Sequence, residues 1–197
     1  EGMQQLSSSG AEQSDEIRSA GGIPPLVAML GGGVQPQVEA AAAMALTHIS
    51  QASESNRVAI RKAGGFQPLI TLAAQSHKNG TMKYVSAMTN LATGTNAQNQ
   101  DAIRDAGGIA PLVALLRAGA QATTPHEAAQ HAAAVRANLA SNATNKDAIR
   151  DAGGVHALVA LLLPNAGGGH NAAQQVAGAL ANLAANNTAN QDAVREA

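Results

Sequence analysis

Asn99-Gln-Asp-Ala-Ile-Arg-Asp-Ala-Gly-Gly-Ile-Ala-Pro-Leu-Val-Ala-Leu-Leu116 is the stretch that decides the fold, because the chain repeats it. Asn145–Leu162 is a second copy, with Val155 for Ile109 and Ala157 for Pro111. Asn56–Ala73 and Gln13–Leu30 are looser copies, and Asn190–Ala197 carries the opening of a fifth. The alanine at one register position (Ala20, Ala63, Ala106, Ala152, Ala197) recurs at intervals of 43, 43, 46 and 45 residues. Self-similarity at this period is the signature of a solenoid of stacked helical units, none of which can bury its apolar face alone.

Each copy reads as a helix, a break and a second helix. Asn56, Asn99, Asn145 and Asn190 open the copies and are expected to be N-caps, since an Asn side-chain oxygen accepts from an orphan helical N–H. Asp101, Asp147 and Asp192 follow, where the helix dipole favours negative charge. Arg104, Arg150 and Arg195 lie three residues further on, and Asp15 and Arg18 repeat the arrangement. Residues at that spacing share a helix face, and these pairs are read as solvated salt bridges rather than a charged site. Gly107-Gly108 ends the first helix, glycine tolerating the left-handed conformation of a sharp stop. Pro111, like Pro24, Pro25 and Pro68, sits where a new helix begins without needing its N–H. Leu112, Val113, Leu115 and Leu116 then form an apolar stripe broad enough to be buried.

A Gly-rich polar turn leads to a longer, Ala-rich third helix. These helices end in related runs: Ala45-Leu46-Thr47-His48-Ile49, Ala87-Met88-Thr89-Asn90-Leu91, Arg136-Ala137-Asn138-Leu139-Ala140 and Leu180-Ala181-Asn182-Leu183-Ala184. An Ala-Gly-Gly-x-x-Pro-Leu-Val-x-Leu-Leu run followed by an Ala-Leu-x-Asn-Leu-Ala run resembles armadillo repeats along the whole chain. HEAT repeats resemble such units with the first two helices fused, which the recurrent Gly-Gly opposes. Tetratricopeptide repeats have a period near 34 residues. The resemblance implies an all-α, right-handed armadillo superhelix, an α-solenoid of about four full three-helix repeats with partial repeats at both ends. The expected repeats are 13–55, 56–98, 99–144 and 145–189; residues 1–12 form the tail of a preceding third helix and 190–197 the first helix of a truncated repeat. No polar capping unit is recognisable at either end, and a fragment of a longer array is the expected reading.

Composition narrows the function. Apolar residues make up 45% of the chain but aromatics only 1%, so the core is expected to be Ala, Leu, Val and Ile. The net charge of −1 leaves no basic stripe for nucleic acid or anionic membranes. The absence of cysteine excludes disulfides and a thiol nucleophile, and fits an intracellular protein, cytoplasmic or nuclear. His126-Glu-Ala-Ala-Gln-His131 fails as a zinc-protease motif, because histidines five apart point about 140° apart on a helix. Gly31-Gly-Gly33 and Gly167-Gly-Gly169 follow helices and lack the Lys-Ser/Thr ending of a phosphate loop, so they are read as turns. The turns at Arg117 to Pro125 and Pro164 to His170 are longer than in the first repeats and are read as surface variation. No catalytic, metal or cofactor site emerges, and the chain is expected not to be an enzyme.

In armadillo proteins the third helices line a concave groove, where asparagines near the helix ends hold the backbone of an extended peptide. The matching positions are Asn90, Asn138 and Asn182, with His48 in the first repeat and Gln5 in the leading segment. An amide offers donor and acceptor together, as a peptide unit requires. Lys83, His131 and Gln175 lie one turn or two earlier and are expected to set ligand preference, and Arg136 to place a positive charge near the groove. Family members that read lysine-rich signals carry a Trp four residues before the Asn; those positions here are Met44, Ser86, Ala134 and Gly178. Without aromatic walls to hold a lysine stem, the resemblance implies a neutral ligand, an apolar extended segment or a helix, rather than a basic nuclear signal. The expected function is a non-enzymatic protein-interaction scaffold. Alternatives are a structural segment self-associating through its uncapped ends, the interaction domain of a larger protein such as a ubiquitin ligase, and, more weakly, a nuclear import adaptor.

Overall fold

A computed structural model describes residues 2–31, 34–75, 81–93, 97–121, 133–136, 138–140, 142–163 and 169–197. All regular structure among the described residues is helical, and the chain divides into two compact bodies, Glu1–Gly94 and Thr95–Ala197. The first body contains α1 (Gly2–Ser19), α2 (Ile23–Ala28), α3 (Pro36–Ala52), α4 (Glu54–Lys62), α5 (Phe66–Gln75) and α6 (Thr81–Ala92). The second contains α7 (Ala97–Asp105), α8 (Ile109–Gln121), α9 (helical residues 133–136 and 138–139), α10 (Ala143–Asp151), α11 (Gly154–Ala160), α12 (Gly169–Ala184) and α13 (Thr188–Glu196). The described fold is all-α; α4, α5 and α6, of 9, 10 and 12 residues, lengthen in turn, whereas α10, of 9 residues, is longer than α11, of 7, and α12, of 16, is the longest of its group.

The first glycine of each pair does what its place in the sequence requires. Gly64 has φ +77°, and Gly21, Gly107 and Gly153 match it within two degrees. In this left-handed conformation the chain turns sharply enough for the N–H of Gly65 to donate back to the carbonyl of Ile60 at 3.0 Å. A side chain at φ near +76° would be strained, so the break is fixed by glycine.

Three local expectations need correction. The opening asparagines are not N-caps. Ser53, Asn142 and Asn187, three residues earlier, cap α4, α10 and α13, accepting from the backbone N–H of Asn56, Asn145 and Asn190 at 3.2, 3.3 and 3.0 Å. The asparagines themselves sit inside the first turn, fully buried. Secondly, α1 runs unbroken through Gln13, where a new helix was expected. The residue at the capping position is Gly10, which has no side chain to accept an N–H, and the Ser14 hydroxyl donates back to the Gly10 carbonyl at 2.9 Å. With no competing acceptor, the helical hydrogen bonds continue. Thirdly, the residues assigned to a longer turn after Leu116 continue α8 as far as Gln121, since Arg117-Ala-Gly-Ala-Gln121 lacks a Gly-Gly or Pro stop; 122–125 lie outside the described residues.

The core is aliphatic, as composition implied. In the first body Leu46, Ile49, Ile60, Leu69, Val85, Met88 and Leu91 are buried, where α6 packs on α3 and α5. The chain's two aromatics, Phe66 and Tyr84, join them. In the second body Ile103, Leu112, Leu116, Val135, Leu139, Ile149, Leu158, Val176 and Leu183 play the same part.

The capping residues also tie neighbouring repeats together, which makes them sensitive to substitution. Asn187 caps α13 with its oxygen and donates from Nδ2 to Asp147 Oδ1 of α10 at 3.0 Å. Asn187→Ala removes both bonds and is expected to cost about 1–2 kcal/mol. Asn187→Asp keeps the cap but sets a carboxylate against Asp147, so it should fall between parent and alanine variant in urea denaturation. Parent-like stability of the alanine variant would refute the double role.

Candidate functional site

Two sets of polar side chains recur with the repeat: one on the first helices, one on the third. The first set forms the expected partly exposed ion pairs and, in addition, a ladder between repeats. In the second body Arg104 Nη1 donates to Asp101 Oδ1 at 2.7 Å and across to Asn145 Oδ1 at 2.9 Å, while Asn142 Nδ2 donates to the same Asp101 oxygen at 3.0 Å. The next rung repeats this geometry. Arg150 Nη1 reaches Asp147 at 2.8 Å and Asn190 at 3.4 Å, and Asn187 closes the square. In the first body Arg18 Nε donates to Asn56 Oδ1 at 2.8 Å and Ser53 Oγ to Asp15 Oδ1 at 3.2 Å.

The buried asparagine is therefore the acceptor that fixes the preceding repeat's arginine. Hydrogen bonding from Asn187, then the charge of Arg150, holds the Asp147 carboxyl below the usual carboxylate range. These groups set the register between repeats and are engaged with one another. A sequence signal for them existed: Ser53-x-x-Asn56, Asn142-x-x-Asn145 and Asn187-x-x-Asn190 share one spacing, that of a cap and the N–H it satisfies.

The second set occupies the third helices. In the first body Met44 and His48, four residues apart, are exposed on α3. Lys83, Ser86 and Asn90, spaced three and four apart, form a half-buried stripe on α6. Asn90 Nδ2 donates to the backbone carbonyl of Thr47 on α3, the residue before His48, at 3.4 Å, a long bond. In the second body Asn138 is half-buried on α9 beside half-buried Ala134 one turn earlier. Gln175, Gly178 and Asn182 form an exposed stripe on α12. A Cβ at Gly178 would meet nothing within 4 Å, so this face is open.

Two expected site residues stand apart. His131 and the His-Glu-x-x-His-like run lie outside the described residues. Arg136 does not add charge to the groove: it is fully buried, and no described residue accepts a hydrogen bond from its three guanidinium nitrogens. Burial, with Arg117 nearby, pushes it down to about 9. Helical periodicity explains the error. Arg136 is flanked by Val135 and Leu139 on the core side of α9, two residues from the stripe of Asn138. Among the described residues no group of three or more His, Asp and Glu could hold a metal, and no helix is long and apolar enough to cross a membrane.

No protein-family profile matches the chain, and no curated protein sequence matches it. Solved structures do. Two engineered proteins from a structural-genomics consortium superimpose with a TM-score of 0.84 at 33% identity over 94% of this chain, which spans 43% of one and 72% of the other. A designed armadillo repeat protein in complex with a (KR)4 peptide matches 98% of the chain at 26% identity and TM-score 0.83, over 77% of its own length.

Proposed function

Because the chain is an armadillo-repeat protein, we propose that it is a non-enzymatic scaffold whose third-helix stripes hold an extended protein segment. The observation that supports this most is that half-buried Asn90 of α6 reaches the Thr47 carbonyl of α3, beside which in sequence stands exposed His48, so amide and ring lie on adjacent third helices. Asn182, Gln175 and the open position at Gly178 present the equivalent surface on α12. Amide side chains at helical spacing match the donors and acceptors of a peptide backbone, and the small neighbours Ala134, Ser86 and Gly178 leave room for it. Lys83 and His48 border the stripes with positive or neutral groups, and no tryptophan is available to grip a lysine stem. The preferred segment is therefore uncharged or mildly acidic and apolar in part, and the basic (KR)4 peptide is a poor ligand.

An unbiased peptide display library panned on the chain tests this. Selected peptides should be extended and poor in Lys and Arg. Asn90→Ala and Asn182→Ala, with helicity unchanged by circular dichroism, should each weaken the binding of selected peptides about tenfold, the loss of a hydrogen bond or two. Peptides bound equally by the parent and both variants would place the site elsewhere. Tight (KR)4 binding would favour recognition of basic signals.

A further inference from the structure

At two register positions the third repeat departs from the others, and both departures are arginines. Arg136 on α9 stands where the other third helices carry Leu46, Met88 and Leu180. Leu46 and Met88 are fully buried, as Arg136 is. Arg117 on α8 stands where the other medium helices are followed by Gly31, Ala74 and Leu163. Each change puts a cation where the repeat calls for a small or apolar residue.

The fold brings the two together at the glycine break that opens the fourth repeat. Arg117 Nη2 lies 2.6 Å from where a Cβ on Gly153 would stand, and the Arg136 guanidinium fills the place a Cβ on Gly154 would take. At Gly65, the counterpart of Gly154, the nearest side-chain atoms are Ile60 Cγ2 and Val27 Cγ2, both apolar. Among the described residues nothing neutralises the pair. Arg136 has no acceptor for any of its three nitrogens. Arg117 is exposed and donates to the Ala152 carbonyl at 3.5 Å, the limit of a hydrogen bond. The aspartates of this body are engaged elsewhere: Asp101 and Asp105 with Arg104, Asp147 and Asp151 with Arg150, Asp192 with Arg195. Two like charges held side by side, one of them buried, oppose folding. A chain that breaks its own repeat pattern at such a cost does so most often at a functional site.

We propose that Arg117 and Arg136 form a binding site for a doubly charged oxyanion of the phosphate class, free phosphate or a phosphate monoester, held between their guanidinium groups beside Gly153 and Gly154. The planar fork of each guanidinium matches the spacing of phosphate oxygens, and two charges on the anion balance two cations. A carboxylate would balance only one. Arg117 is the exposed member and weakly held, so the anion enters from its side as it leaves the Ala152 carbonyl. Burial and Arg117 push Arg136 down to about 9, which leaves it protonated at neutral pH and ready to donate. The anion then supplies the acceptor that Arg136 lacks. The site is separate from the third-helix stripes, since Arg136 lies on the core side of α9.

Titration calorimetry with inorganic phosphate at neutral pH and constant ionic strength tests this. The parent should bind one phosphate per chain. Arg117→Gln, at an exposed position, should weaken binding about tenfold, and Arg136→Met should abolish it, with folding of both verified by circular dichroism. Lys62→Gln removes an exposed cation of the first body and should change nothing. Phosphate should raise the urea midpoint of the parent more than that of Arg136→Met, which separates specific binding from the general effect of the salt. Phenyl phosphate distinguishes the sources: binding as tight as that of phosphate assigns a monoester, and its exclusion assigns the free ion. Absence of saturable binding to the parent overturns the proposal. So does binding that survives in Arg117→Gln at full strength, or acetate binding as tightly as phosphate.

Discussion

Arg136→Met is expected to raise the unfolding free energy by about 1–4 kcal/mol, a large gain for a single substitution. The guanidinium is fully buried, no described residue accepts its hydrogen bonds, and Arg117 adds a like charge nearby. Burying a charge without a partner costs several kcal/mol, and methionine fills similar volume without it. The pH dependence separates this account from simple repacking. The proton on Arg136 is held less tightly in the folded state than in the unfolded one, where arginine titrates normally. Below about pH 9 both states are charged and the whole burial cost is present. As pH rises through that value the folded state loses its proton first and the cost diminishes. The advantage of Arg136→Met in urea denaturation should therefore be constant from pH 6 to 8 and shrink by pH 10. A destabilised variant, or an advantage that does not change with pH, would show that the arginine is satisfied where it lies.

Gly154→Ala should be destabilising by about 1–3 kcal/mol although its backbone conformation suits any residue. Gly154 is the buried first residue of α11, and a Cβ there would be built into the Arg136 guanidinium, which has no solvent-exposed volume to move into. Because the obstacle is one side chain, the penalty depends on that side chain. In the Arg136→Met background the flexible thioether can give way, and the cost of Gly154→Ala should fall by half or more. Contacting residues show such non-additivity, whereas independent sites add. Gly178→Ala is the internal control: with nothing near its Cβ, it should be neutral or slightly stabilising in the same assay. Equal penalties for Gly154→Ala in both backgrounds would mean that the backbone, not Arg136, requires the glycine.

The sequence by itself determined the repeat, its three-helix order, the left-handed glycine breaks and the aliphatic core. These are local or periodic properties: Ala63-Gly64-Gly65 can only turn one way, and a stripe such as Leu112, Val113 and Leu116 must be covered. The stripe of Lys83, Ser86 and Asn90 was also legible, because three- and four-residue spacings define one helix face whatever it packs against. Tertiary structure decided how repeats are joined. Asn145 reads as a cap from its neighbours alone, and only the approach of Arg104 from the preceding repeat makes it a buried acceptor 2.9 Å away. Arg136 reads as a groove cation until the packing of α9 turns it inward under Gly154. Both errors have one physical cause: burial depends on what lies far away in sequence, 41 residues for Asn145 and Arg104 and 18 for Arg136 and Gly154, and a polar side chain's role changes sign when water is replaced by protein.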